Sequence, residues 1–167
     1  MNRRWLFISG IFIVGISAMT YWWYPENEEP VKEVPTVNEL PLLNVLKIDG
    51  RVMSLREAED KSVLIFFNPD CDHCQREAKE ISEQKNVFRD YTLYFISIDS
   101  IPKIKQFARE YDLMEDNFIF AQADNYQVYV AVGAFQAVPA IFIYEKKKLV
   151  KKTEGEIKLD ELKKYLN

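Results

Sequence analysis

The chain has 167 residues, 48% apolar and 29% charged, with a formal net charge of −4. That balance excludes a disordered chain and a collagen-like fibre. It also argues against a nucleic-acid partner, which draws a basic excess. The length allows one domain plus an appendage. The two cysteines, Cys71 and Cys74, stand three positions apart with the single histidine, His73, between them. A disulfide-stapled scaffold is therefore excluded, and the chemistry gathers at one place.

The first predicted element is apolar. Residues Trp5 to Tyr24, WLFISGIFIVGISAMTYWWY, run for twenty residues without a charge. As a helix rising about 1.5 Å per residue, this stretch crosses the roughly 30 Å hydrocarbon core of a bilayer. Arg3 and Arg4 precede it, Glu26, Glu28 and Glu29 follow it, and all three tryptophans sit at its ends. This pattern predicts one N-terminal transmembrane helix within residues 1–24, with the arginines on the cytoplasmic side and the bulk of the chain beyond the membrane. The alternative is a signal peptide cleaved after Ser17, where Gly15 and Ser17 supply small residues. Either reading exports the rest of the chain.

Residues 25–41 hold four of the seven prolines, and five acids against one lysine. Such a composition predicts an extended spacer without a core. The domain then spans 42–167. Leu42 to Ile48 leans to a strand, and Asp49-Gly50 turns it into a hairpin with Arg51 to Met53. Leu55 to Lys61 reads as a short polar helix or loop. Val63 to Phe67 is a continuous apolar run, as in a strand buried on both faces. Asp72 to Lys85 reads as a helix, and Leu93 to Ile98 as a second buried strand. Ile101 to Tyr111 places Ile101, Ile104, Phe107 and Ala108 on one helical face. Phe118 to Ala121 is a short strand. Asn125 to Val132 reads as a helix against the preference of its β-branched residues. Ala140 to Tyr144 and Leu149 to Thr153 form a hairpin, with Lys146, Lys147 and Lys148 in a solvated turn. Ile157 to Leu166 reads as a terminal amphipathic helix. Buried strands alternating with helices predict an α/β sandwich with a mixed sheet.

The chemistry lies in Asn68-Pro69-Asp70-Cys71-Asp72-His73-Cys74. Pro69 stops the buried strand, and Cys71 falls at the start of the following helix. Cysteines at i and i+3 in a first helical turn face each other, and the free N–H groups and dipole there favour a thiolate. The exposed first thiol attacks a disulfide and the second resolves the mixed disulfide. A zinc site lacks a fourth ligand, because the one histidine is wedged between the thiols. Haem attachment needs histidine after the second cysteine, where Gln75 stands. Copper carriage by the two thiolates, and a binding module in which the dithiol is incidental, remain as alternatives.

In these features the domain resembles the thioredoxin superfamily, and in particular the membrane-anchored TlpA/ResA-like redoxins of bacterial envelopes. VLIFFNPDCDHCQREAKEI resembles that family's strand, Cys-x-x-Cys and helix; YFISID its next strand; and Val138-Pro139 before AIFIY its cis-proline loop. Gly155 before a final helix also fits. The resemblance implies a thioredoxin-like three-layer sandwich with a central mixed sheet. It implies thiol–disulfide oxidoreductase activity, with Cys71 and Cys74 catalytic, His73 and Glu77 tuning, and Val138 and Pro139 holding substrate backbone. No cofactor and no metal are implied, since electrons pass through thiols. The implied partners are protein dithiols or disulfides and a transmembrane thiol donor or acceptor. The expected location is the bacterial cytoplasmic membrane, single-pass, with the domain facing the periplasm or exterior. The chain departs from the pattern at Asp70, where many members have tryptophan, and at Asp72-His73 between the cysteines. It departs again at Ile65, where thioredoxins proper keep a buried aspartate. Glu77 can replace that acid as proton acceptor, or can form a solvated salt bridge. No Pro-x-x-x-Thr-x-x-Cys pattern of peroxiredoxins occurs.

Overall fold

A computed structural model describes residues 37–166. The transmembrane helix expected within 1–24, the Ser17 cleavage site and the spacer up to residue 36 lie outside these residues. No helix among the described residues is long and apolar enough to cross a membrane.

Seven strands form one sheet in the order β2-β1-β5-β4-β3-β6-β7. They are β1 (Asn44–Lys47), β2 (Val52–Ser54), β3 (Lys61–Phe66), β4 (Thr92–Ser97), β5 (Phe118–Gln122), β6 (Ala140–Glu145) and β7 (Lys148–Glu154). The helices are α1 (Asp72–Glu83), α2 (Ile101–Glu110), α3 (Asn125–Val132) and α4 (Leu159–Leu162). β3 runs parallel to β4 and β4 to β5, while β6 lies antiparallel to β3 and β1 antiparallel to β5. The sheet is therefore mixed, with the parallel strands at its centre.

The apolar run in β3 explains this centre. Val63 and Ile65 point into one core with Phe95, Ala78, Ile81, Phe107 and Leu162, from β4, α1, α2 and α4. Leu64 and Phe66 point into the other, with Tyr94, Val128, Val132 and Phe142. Successive residues of a strand face opposite sides, so a strand buried on both faces must be apolar throughout. Helices cover each face and give three layers. Phe95 stacks on Phe120 with ring centroids 4.5 Å apart and planes 8° apart, beneath the loop that follows β3.

The expected elements recur with shifts at their ends; two differences, and one helix that forms against its composition, have physical causes. Residues 37–41, read as spacer, belong to the domain. Leu40 is buried, Leu149 N–H donates to the Asn38 carbonyl at 2.8 Å, and Tyr144 Oη donates to the Val37 carbonyl at 3.2 Å. This segment occupies the open edge of β7, whose backbone groups would otherwise be unpaired. Asn125–Val132 is helical despite its β-branched residues, because Asp124 caps it by accepting Gln127 N–H at 3.0 Å. The terminal helix is shorter than the 157–166 read from periodicity. Only Leu159–Leu162 is α-helical, followed by a 3₁₀ turn at Lys163–Tyr165. Lys158 is extended (φ −64°, ψ 136°), because the amides of Ile157 and Leu159 are bound by carboxylates of α1.

Candidate active site

The loop from β3 to α1 is built from short-range bonds. Asn68 Oδ1 accepts Asp70 N–H at 2.8 Å and the Asn68 carbonyl accepts Cys71 N–H at 3.1 Å. Gln75 Nε2 reaches back to the Pro69 carbonyl at 2.9 Å. Cys71 is the N-cap of α1, with extended backbone and no side-chain capping bond. Its thiol is free to donate elsewhere, and Sγ lies 3.7 Å from the carbonyl oxygen of Val138. The Val138–Pro139 peptide bond is cis, the isomer the resemblance implies.

The two cysteines differ sharply. Cys71 is half-buried, and Cys74, one turn on, is 2% exposed; both are free thiols. Burial pushes the Cys74 thiol up to about 12, and the Cys71 thiol and the Glu77 carboxylate push in the same direction. Desolvation penalises the charged form, so Cys74 is held as a thiol. Ile65, in place of the buried aspartate, is packed in the apolar core.

Glu77 is the buried acid of this site. It is 2% exposed, which removes the solvated salt bridge as an account of it. Its Oε2 accepts Ile157 N–H at 3.0 Å, and its Oε1 is buried without a partner. Burial pushes its carboxyl up to about 7, with Glu80 and Glu156 adding to the rise and the Ile157 N–H opposing it.

The His73 side chain is 61% exposed. Its Nδ1 lies 2.8 Å from Glu156 Oε2 and 2.7 Å from Arg76 Nη2. Protonated, that nitrogen donates to Glu156; unprotonated, it accepts from Arg76. Arg76 grips both oxygens of Glu156 through Nε at 3.0 and 3.1 Å. Asp70, next to Cys71 in the chain, is paired with Lys103 at 2.6 Å, and Lys103 also reaches Asp99 at 3.3 Å. Arg76, Lys103 and Glu156 escaped the sequence reading. The charges of α1 are visible there, but their partner 80 residues away is not. Among the described residues, no three metal-ligating side chains are placed to hold an ion. A cleft of about 420 Å³ beside the cysteines is lined by His73, Val138, Glu156 and Lys158, among others.

A three-layer α/β sandwich with Cys-x-x-Cys at a helix start, facing a cis-proline loop, defines a protein of the thioredoxin superfamily. The chain belongs to the AhpC/TSA family, which it matches over residues 36–153. No curated protein matches it. Solved structures are similar in fold. DsbF of MTB shares 21% identity at a TM-score of 0.64, over 75% of this chain and 92% of that one. The thioredoxin domain of a thiol-disulfide oxidoreductase from Bacteroides vulgatus shares 18% at 0.65, over 81% and 100%. StoA from Bacillus subtilis shares 16% at 0.59, over 78% and 99%.

Proposed function

We propose that this protein is a thiol–disulfide oxidoreductase that acts on protein disulfides through Cys71 and Cys74, tethered to the bacterial cytoplasmic membrane with its domain outside the cytoplasm. The observation that carries the reading is the unequal pair: an accessible Cys71 against the Val138 carbonyl, above a buried Cys74 that has the acid Glu77 one turn further along α1. Oxidoreductases among the similar folds, such as the one from Bacteroides vulgatus, support the same chemistry. The tether and the location rest on the charge-free run at Trp5 to Tyr24 and the arginines before it.

In the reducing direction the Cys71 thiolate attacks one sulfur of a substrate disulfide. A Cys71–substrate bond forms, and the other substrate sulfur leaves as a thiolate that takes a proton from water. Cys74 then gives its proton to Glu77 and attacks Cys71 Sγ. The Cys71–substrate bond breaks, the Cys71–Cys74 disulfide forms, and the second substrate sulfur leaves as a thiolate that takes a proton from water. The substrate gains two electrons and the dithiol loses them; the oxidising direction is the reverse. Val138 and Pro139 hold the substrate backbone beside Cys71. His73 acts on the site through Glu156 and Arg76. A transmembrane thiol donor or acceptor restores the starting state.

The test is insulin reduction by the full chain in detergent with dithiothreitol as electron source. Precipitation of the insulin B chain is expected with the native protein and not with Cys71→Ser. Equal rates for the two would remove the dithiol from the mechanism.

A further inference from the structure

Beside the apolar face of α1 that covers the sheet runs a second, polar stripe. His73, Arg76, Glu77 and Glu80 follow the spacing i, i+3, i+4, i+7, which places them in one stripe. The stripe binds consecutive parts of a strap, residues 155–159, between β7 and the last helical turn. His73 and Arg76 take the Glu156 carboxylate. Glu77 takes the Ile157 N–H at 3.0 Å, and Glu80 takes the Leu159 N–H at 3.1 Å. The strap begins at Gly155, whose φ of +85° suits only glycine without strain. Gly155 N–H donates to the Pro139 carbonyl at 2.8 Å. Five residues thus tie the redox helix to the cis-proline loop.

The Ile157 N–H is the hydrogen-bond donor found for the Glu77 carboxylate, since Oε1 has no partner. A lone donor to a buried carboxylate decides how well its charged form is held. The strap's position therefore bears directly on Glu77. Resting on the oxidoreductase reading above, we propose that Arg76 and Glu156 are positioning residues: their ion pair fixes the strap so that the Ile157 N–H stays on Glu77 while Glu77 receives the proton of Cys74. The titratable groups that act on Glu77 are Cys74 and Glu80 from α1 and Glu156 from the strap.

The proposal separates from plain electrostatics by sign. Through space alone, Arg76→Gln removes a cation and makes Glu77 harder to ionise, whereas Glu156→Gln removes an anion and makes it easier. The two variants would then move the pH profile of the resolving step in opposite directions. Fixing by the strap predicts the same direction for both, because either change frees the segment that carries the Ile157 N–H. The expected shift in single-turnover release of substrate thiol is upward by about half a pH unit in each variant, a rate change of about threefold on the rising limb. Amide hydrogen exchange at Ile157, read in the reduced full chain, should speed up by about the same factor in both. Opposite shifts, or unchanged exchange at Ile157, would overturn the proposal. The exchange measurement needs no turnover, so its result stands apart from any failure of the oxidoreductase reading.

Discussion

Cys71 Sγ lies 3.7 Å from the backbone carbonyl of Val138, a residue 67 positions further along the chain. The contact joins the start of α1 to the cis-proline loop, and Cys71 stays partly exposed. Cys74, three residues on, has no comparable access. This inequality should make the two thiols distinguishable by reagents.

Alkylation should therefore be selective. Iodoacetamide reacts with thiolates, and burial holds Cys74 as a thiol with its titration pushed up to about 12. In the reduced protein at about pH 8, Cys71 should be modified on the order of a hundredfold faster than Cys74. Peptide mass mapping after timed quenching reads the ratio. Comparable rates would mean that Cys74 is not shielded in solution.

Glu77→Gln should slow resolution and stabilise the fold, with the second effect depending on pH. The carboxyl titrates near 4.5 when unperturbed and near 7 when folded. Between those values the folded state holds the extra proton, so native stability is greatest below the first and declines as pH rises through the second. Glutamine carries no such penalty. The variant's advantage in urea unfolding should be absent near pH 4 and grow to at most about 3 kcal/mol near pH 8. Resolution of the mixed disulfide at neutral pH should fall by about a hundredfold, as when a general base is lost. An advantage that is flat in pH would show that Glu77 does not titrate differently on folding.

Lys103→Gln should weaken Cys71 as a nucleophile. Lys103 sits 2.6 Å from Asp70, the neighbour of Cys71 in the chain, and 3.3 Å from Asp99, and without it both carboxylates lose this cation. Like charge disfavours a thiolate. Lys103 and Asp70 are exposed, so the loss in Cys71 alkylation rate should be modest, about threefold at low salt, and should shrink at roughly 0.5 M salt. A loss that ignores salt would point to a structural cause.

The proposed orientation rests on the arginines ahead of the charge-free run. A phosphatase fused after Asn167 should be active in the cell envelope, and carbonate washing should leave the protein in the membrane fraction. Release of the domain by washing would favour cleavage near Ser17.

The core of this fold was legible because burial writes itself into composition. Val63-Leu64-Ile65-Phe66 reads as a strand covered on both faces, and Ile104, Phe107 and Ala108 share a helical stripe. The placement of Cys71 and Cys74 at a helix start after a buried strand was legible for a different reason: Pro69 ends the apolar run, and polar helix-forming residues follow it. The strap was not legible. Glu156 and Ile157 look like the start of an amphipathic helix. Only the fold brings them against His73, Arg76 and Glu77, and there the amides go to carboxylates and the helix begins later. Residues 37–41 misread in the same way, since prolines and acids around Leu40 hid one apolar side chain that the β7 edge buries.

The unequal roles of the thiols are tested most directly by trapping. The full chain bearing Cys74→Ser, and separately Cys71→Ser, is mixed in detergent with a protein disulfide and quenched with acid, and covalent adducts are resolved on non-reducing gels and mapped by mass spectrometry. The account predicts abundant mixed disulfides through Cys71 in the Cys74→Ser protein, because attack proceeds and resolution is gone, and few in the Cys71→Ser protein. Equal trapping by both variants, or adducts joined through Cys74, would contradict it.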